Sequence, residues 1–314
     1  MTIPPQQPPE VQAPVPYELP FIDRNRIHPI LFAVGCLFVV FVLYQLIGGF
    51  LTVVVMGGTK VTRENVQSIR LLTMVGQIFF ILGPTAVFAR MLSLRISDVF
   101  PWRLPKMGET LYALLGLLWL QQIFQILLFF QERIPIPKML KDLIDPIKQL
   151  MEEMYKSLVT AQSFPELAFV VLVVAIVPAI VEELLFRGVI QRTFERIATP
   201  LWAAVITGII FGLFHFNPFA VVPLIGLGCY FGFLRMRSRS IVLSMTAHLL
   251  NNGLAIIVAY FGMDDEAMVT MGDVLQPTTA AVLIQLVLFI MLFLLSLLAY
   301  LRISAQPPDP ESQE

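Results

Sequence analysis

Residues 177–188 read Val177-Pro178-Ala179-Ile180-Val181-Glu182-Glu183-Leu184-Leu185-Phe186-Arg187-Gly188. The stretch closes an apolar run that begins near residue 165, and it places two adjacent carboxylates and an arginine inside it. An ionisable group in an apolar span costs roughly 2.5–3.5 kcal/mol on insertion scales and marks a functional position by default. Helical spacing separates the two acids. Glu183 and Arg187 stand at i and i+4 with the acid first, the favourable order for a pair on one face. Glu182 lies about 100° further round, so it escapes that pair and points elsewhere.

The chain around this stretch has 314 residues, of which 57% are hydrophobic and 14% charged. Its mean hydropathy is +0.79. Soluble domains carry about 25% charged residues, so this is the composition of an integral membrane protein. A net charge of −1 supplies no basic excess for nucleic acid. Cys36 and Cys229 fall in separate apolar runs with no metal or disulfide spacing, and read as packing residues.

A spanning helix needs about 20 mostly apolar residues. Such runs fall near 29–56, 69–92, 109–131, 165–186, 200–216, 218–234, 240–262 and 279–302, which predicts an all-α bundle of about eight transmembrane helices. Pro178 should kink the fourth. Residues 135–164 alternate apolar and charged positions at helical period, as in an amphipathic helix lying on the membrane or lidding the bundle. The division expected is a proline-rich disordered tail over 1–27, N-terminal helices and the amphipathic segment over 28–164, a chemical core over 165–262, a last helix within 263–303 and a second tail over 304–314. With both termini in the cytoplasm, the Lys and Arg residues divide thirteen inside to eight outside, the expected bias. No internal repeat is visible, which weakens a transporter reading.

The remaining polar groups inside the runs are few. The chain has three histidines, and two of them, His215 and His248, lie in the fifth and seventh runs. His248 and Asn252 stand at i and i+4. Gly208, Phe211, Gly212 and His215 share a face, with small residues for close helix contact and an imidazole beyond them. Glu182 and His215 lie at similar chain distances from a turn near Thr199, so an antiparallel hairpin brings them together. Each group has a bland reading: an interfacial charge cluster, a packing histidine, an interhelical asparagine. Their conjunction points to one shared polar site.

Glu182-Glu183-x-x-x-Arg187, Phe211-x-x-x-His215 and His248-x-x-x-Asn252 together resemble the three motifs of the CAAX protease and bacteriocin-processing (CPBP/Abi) family of intramembrane endopeptidases. The resemblance covers about residues 165–262. It implies a hydrolase acting on a membrane-bound protein or peptide. In that reading Glu182 is the base that activates water and His215 helps to hold it. His248 and Asn252 donate to the oxyanion, while Glu183 and Arg187 support the site. The alternative is a non-catalytic membrane scaffold or bacteriocin self-immunity protein that keeps the motifs. No cofactor is favoured, because His248 with Asn252 looks like an oxyanion clamp. Zinc held by Glu182, His215 and His248 stays open.

Overall fold

A computed structural model describes residues 18–58, 61–262 and 278–304. Among these, all regular structure is helical. The helices run in the order α1 (Pro29–Val55), α2 (Val66–Leu92), α3 (Met107–Gln131), α4 (Lys138–Val159), α5 (Phe164–Phe194), α6 (Pro200–Phe214), α7 (Val221–Ser238), α8 (Ile241–Tyr260) and α9 (Thr279–Ile303). The fold is an all-α, multi-pass membrane bundle.

Six of these helices, α1, α2, α3, α5, α8 and α9, are long and apolar enough to cross a bilayer. The expected count of eight is not reached. At 1.5 Å per residue α6 is only about 22 Å long, short of a hydrocarbon core of about 30 Å. Its partner α7 carries Arg235 and Arg237 in its last turn. These two helices form a hairpin that enters the bundle and returns.

Ser163 caps α5 by accepting from the Glu166 N–H, with Pro165 in the first turn. The helix does not break at Pro178. It winds through π-helical turns at Val171–Ile176 and Leu184–Ile190, which absorb the proline without ending the run. Glu182 and Glu183 therefore lie in the interior of α5, about 27 Å from one end and about 18 Å from the other.

Glycines set how closely α6 and α7 approach. A β-carbon on Gly208 would fall 2.4 Å from the Cys229 backbone nitrogen, and one on Gly212 would fall 2.6 Å from that of Ile225. Only hydrogen fits at these two positions. The same closeness exposes α7 carbonyls to α5, where Arg187 Nη2 donates to Gly228 O at 2.9 Å and Gln191 Nε2 to Gly232 O at 3.2 Å. An ion pair between Glu195 and Arg235 continues this ladder one turn further.

The first expected tail is shorter than 1–27. Phe21–Arg24 forms a helical turn, Ile22 is buried and Asp23 pairs with Arg196. The rest of that tail, 1–17, and nearly all of the C-terminal one, 305–314, lie outside the described residues. Cys36 is buried and Cys229 half-buried; both are free thiols in helix interfaces.

Candidate active site

The helix face that carries Glu183 and Arg187 turns fully inward. Both side chains are 0% exposed and their charged groups meet at 3.1 Å. A buried charge without a partner is strongly destabilising, and here several groups share the burden. Arg187 lies with its guanidinium carbon 4.5 Å from the Phe211 ring centre and 5.5 Å from that of Phe231. Glu183 Oε1 also receives His248 Nδ1 at 3.1 Å. Phe231 stacks on the His248 ring, with centroids 5.1 Å apart and planes 20° from parallel. This packing holds the imidazole in one orientation.

Glu182 does point elsewhere. Its Oε2 is closed off from solvent and has no hydrogen-bond partner. Two imidazole nitrogens approach it: His215 Nε2 at 3.9 Å and His248 Nε2 at 4.0 Å. The α5–α6 hairpin thus brings Glu182 to His215, and α8 adds His248 from the other side. His215 is not inside α6, as the 200–216 run suggests. It is the residue immediately after α6, followed by Phe216 in a left-handed conformation with φ of 50°. The short helix ends there and leaves the imidazole at its tip.

The ring protons follow from the partners. His215 Nδ1 lies 2.7 Å from the Phe211 carbonyl oxygen, and His248 Nδ1 faces a carboxylate oxygen. Both partners are acceptors, so each ring carries a proton on Nδ1 and turns Nε2 toward Glu182. With both rings neutral, Glu182, Glu183 and Arg187 leave the cluster one negative charge in excess.

A separation of 3.9 or 4.0 Å is too long for a direct hydrogen bond. One water oxygen about 2.8 Å from each group would fit that gap. Tetrahedral zinc, about 2.0–2.1 Å from its ligands, sets neighbouring donors about 3.4 Å apart. The donors are of the right kind for zinc, and tying the far ring nitrogen to a carbonyl or carboxylate is a habit of metal-binding histidines. The carboxylate would have to move about 0.5 Å toward each ring. Among the described residues, no three His, Cys, Asp or Glu donors are grouped to hold a metal as they stand.

Asn252 is engaged in packing. Its Nδ2 donates to Val174 O at 3.0 Å, and its Oδ1 accepts from Asn251 Nδ2 at 3.1 Å. Asn251 in turn accepts from Gln121 of α3 at 3.0 Å. This strap joins α3, α8 and α5 and leaves one N–H of Asn252 for other use.

Several contributors carry no motif. Phe231 holds His248, yet nothing in its sequence context separates it from neighbouring aromatics. The Gly228 and Gly232 carbonyls had a signal, since their four-residue spacing mirrors that of Arg187 and Gln191. From α1, Phe41 packs on Phe216 with ring centres 5.4 Å apart, and Tyr44 stands within electrostatic range of Glu182.

Fold and site define a multi-pass membrane protein whose helices bring a carboxylate and two imidazoles together, with His248 buried and His215 partly exposed. Residues 164–254 match the family model described as Rce1-like, type II CAAX prenyl endopeptidase Rce1-like. That stretch, from the start of α5 well into α8, carries the three motifs and supports the resemblance to the CAAX protease family. No curated protein matches the chain, and no solved structure does.

Proposed function

We propose that the protein is an intramembrane endopeptidase that hydrolyses a peptide bond of a membrane-bound protein or peptide, with both termini of the chain in the cytoplasm. The observation that carries the reading is the unpartnered Glu182 Oε2 facing both imidazole Nε2 atoms at water-bridging distance.

In this mechanism a water sits between Glu182 and His215. Glu182 takes one of its protons while the bare Nε2 of His215 accepts the other O–H, and the oxygen attacks the scissile carbonyl. The oxyanion that forms needs donors aimed at it. The remaining N–H of Asn252 is one. His248 supplies the second in its doubly protonated form, for which Glu183 is the adjacent counter-ion and which brings the charge of the cluster to zero. Glu182 then returns its proton to the leaving amine, and the peptide bond breaks.

The geometry of the rings favours one second reading. Two bare Nε2 atoms and a carboxylate are a donor set for zinc, and Glu182, His215 and His248 would hold it. A bound zinc would lower the pKa of its water and polarise the carbonyl.

The test is cleavage of a membrane-bound peptide by purified protein in proteoliposomes. Glu182→Gln should leave the protein folded and abolish turnover. Full cleavage by that variant would sink the proposal. Comparing peptides from membranes that hold wild type with those that hold Glu182→Gln would identify the substrate.

A further inference from the structure

α4 joins the end of α3 to the start of α5, so it lies at the level where two spans meet the membrane surface. At 100° per residue its apolar side chains, Pro146 and Val159 excepted, fill one arc of about 160° from Met139 round to Tyr155, and its charged side chains lie on the opposite side. Protein leaves most of the apolar arc uncovered. Met139, Leu143, Ile147 and Leu150 are 89%, 65%, 51% and 55% exposed. Part of the arc, at Leu150 and Met154, borders an open cavity of about 960 Å³ between α4 and α2.

The helix is fastened at one end. Arg70 of α2 is 1% exposed and donates to the carbonyls of Ser157, Leu158 and Thr160 at the C-terminus of α4, while also pairing with Glu166 of α5. A cation on those terminal carbonyls is the favourable sign for a helix C-terminus. Val159 is buried there, whereas the residues towards the N-terminus stand clear of the bundle. Exposed Ile134, Ile136 and Phe164 extend the apolar surface into both connections.

We propose that α4 is an interfacial lipid-binding helix, hinged on Arg70, with its apolar arc sunk into the boundary between headgroups and acyl chains. The occupant is the phospholipid layer itself. Lys138, Lys141, Lys148 and Lys156 balance Asp142, Asp145, Glu152 and Glu153, so apolar burial drives the binding and anionic headgroups add little. The surface does not depend on whether the site hydrolyses peptides.

Spin labels test this in the full chain, with Cys36 and Cys229 replaced by Ala and the protein in phosphatidylcholine vesicles. A label at Leu143→Cys should collide more with oxygen, which concentrates in acyl chains, than with a water-soluble nickel chelate. A label at Asp145→Cys, on the charged face, should show the reverse order. Adding phosphatidylglycerol should leave both ratios unchanged. Preferential nickel access at Leu143→Cys would place the arc in water and overturn the proposal. Shielding from both reagents would also overturn it, by placing the arc against a second copy or another protein. Deeper burial with anionic lipid would refute the charge-neutral mode.

Discussion

The side-chain amide of Asn252 donates to the carbonyl of Val174, four residues before Pro178. In a regular helix that carbonyl receives the N–H of residue 178, and proline has none. An orphan carbonyl in an apolar interior costs about 1–3 kcal/mol. Asn252 answers it from α8, so a residue placed in the chemistry by its motif also holds two helices in register.

Those two duties can be separated. Asn252→Ala should lower stability by about 1–2 kcal/mol and turnover by about 10²–10³. Adding Pro178→Ala returns the missing N–H to α5 and should restore thermal stability in detergent without restoring cleavage. Recovery of both in the double variant would reduce Asn252 to a packing residue.

Neighbouring glutamates should fail in opposite ways. Glu182→Gln should leave the unfolding temperature near wild type and remove turnover, because the buried Oε2 of Glu182 has no hydrogen-bond partner to lose. Glu183→Gln strands the buried Arg187 and should cost about 3–5 kcal/mol, read as loss of folded protein on heating. Glu183→Leu combined with Arg187→Met should recover much of that stability.

Chelation separates the two readings of the imidazoles. With water held by Glu182 and His215 alone, a strong zinc chelator leaves cleavage unchanged and the purified protein contains no stoichiometric metal. Loss of activity on chelation, restored by zinc, would move the mechanism to the metal.

Gly208 is a packing test at a position that bears no charge of its own. A side chain there must displace Cys229 of α7 from a 2.4 Å approach, and overpacking of this kind costs about 1–3 kcal/mol or more. Gly208→Val should lower the unfolding temperature and also turnover, since α6 carries His215 at its tip. Gly253→Ala, where an added β-carbon meets nothing within 4 Å, should do neither.

Hydropathy showed the long spans plainly, because a bilayer demands an unbroken apolar run. Its count of eight exceeds the six helices that are long and apolar enough to cross, because α6 is short and α7 carries two arginines in its last turn. The pairing of Glu183 with Arg187 was legible because both sit on one helix turn. The meeting of Glu182 with His215 was legible because one tight turn connects their helices, and a fixed rise per residue sets their depths.

His215 is oriented locally, by the Phe211 carbonyl one turn back, whereas the nitrogen of His248 that faces Glu182 is decided by Glu183 on another helix. The second role of Asn252 and the grip of Phe231 on His248 are likewise contacts across helices. The amino-acid order alone settled that this is a membrane bundle with a polar core in its C-terminal half. Only tertiary packing decided how that core is wired, because hydrogen-bond direction in a dry interior is set by whichever partners the neighbouring helices bring within reach.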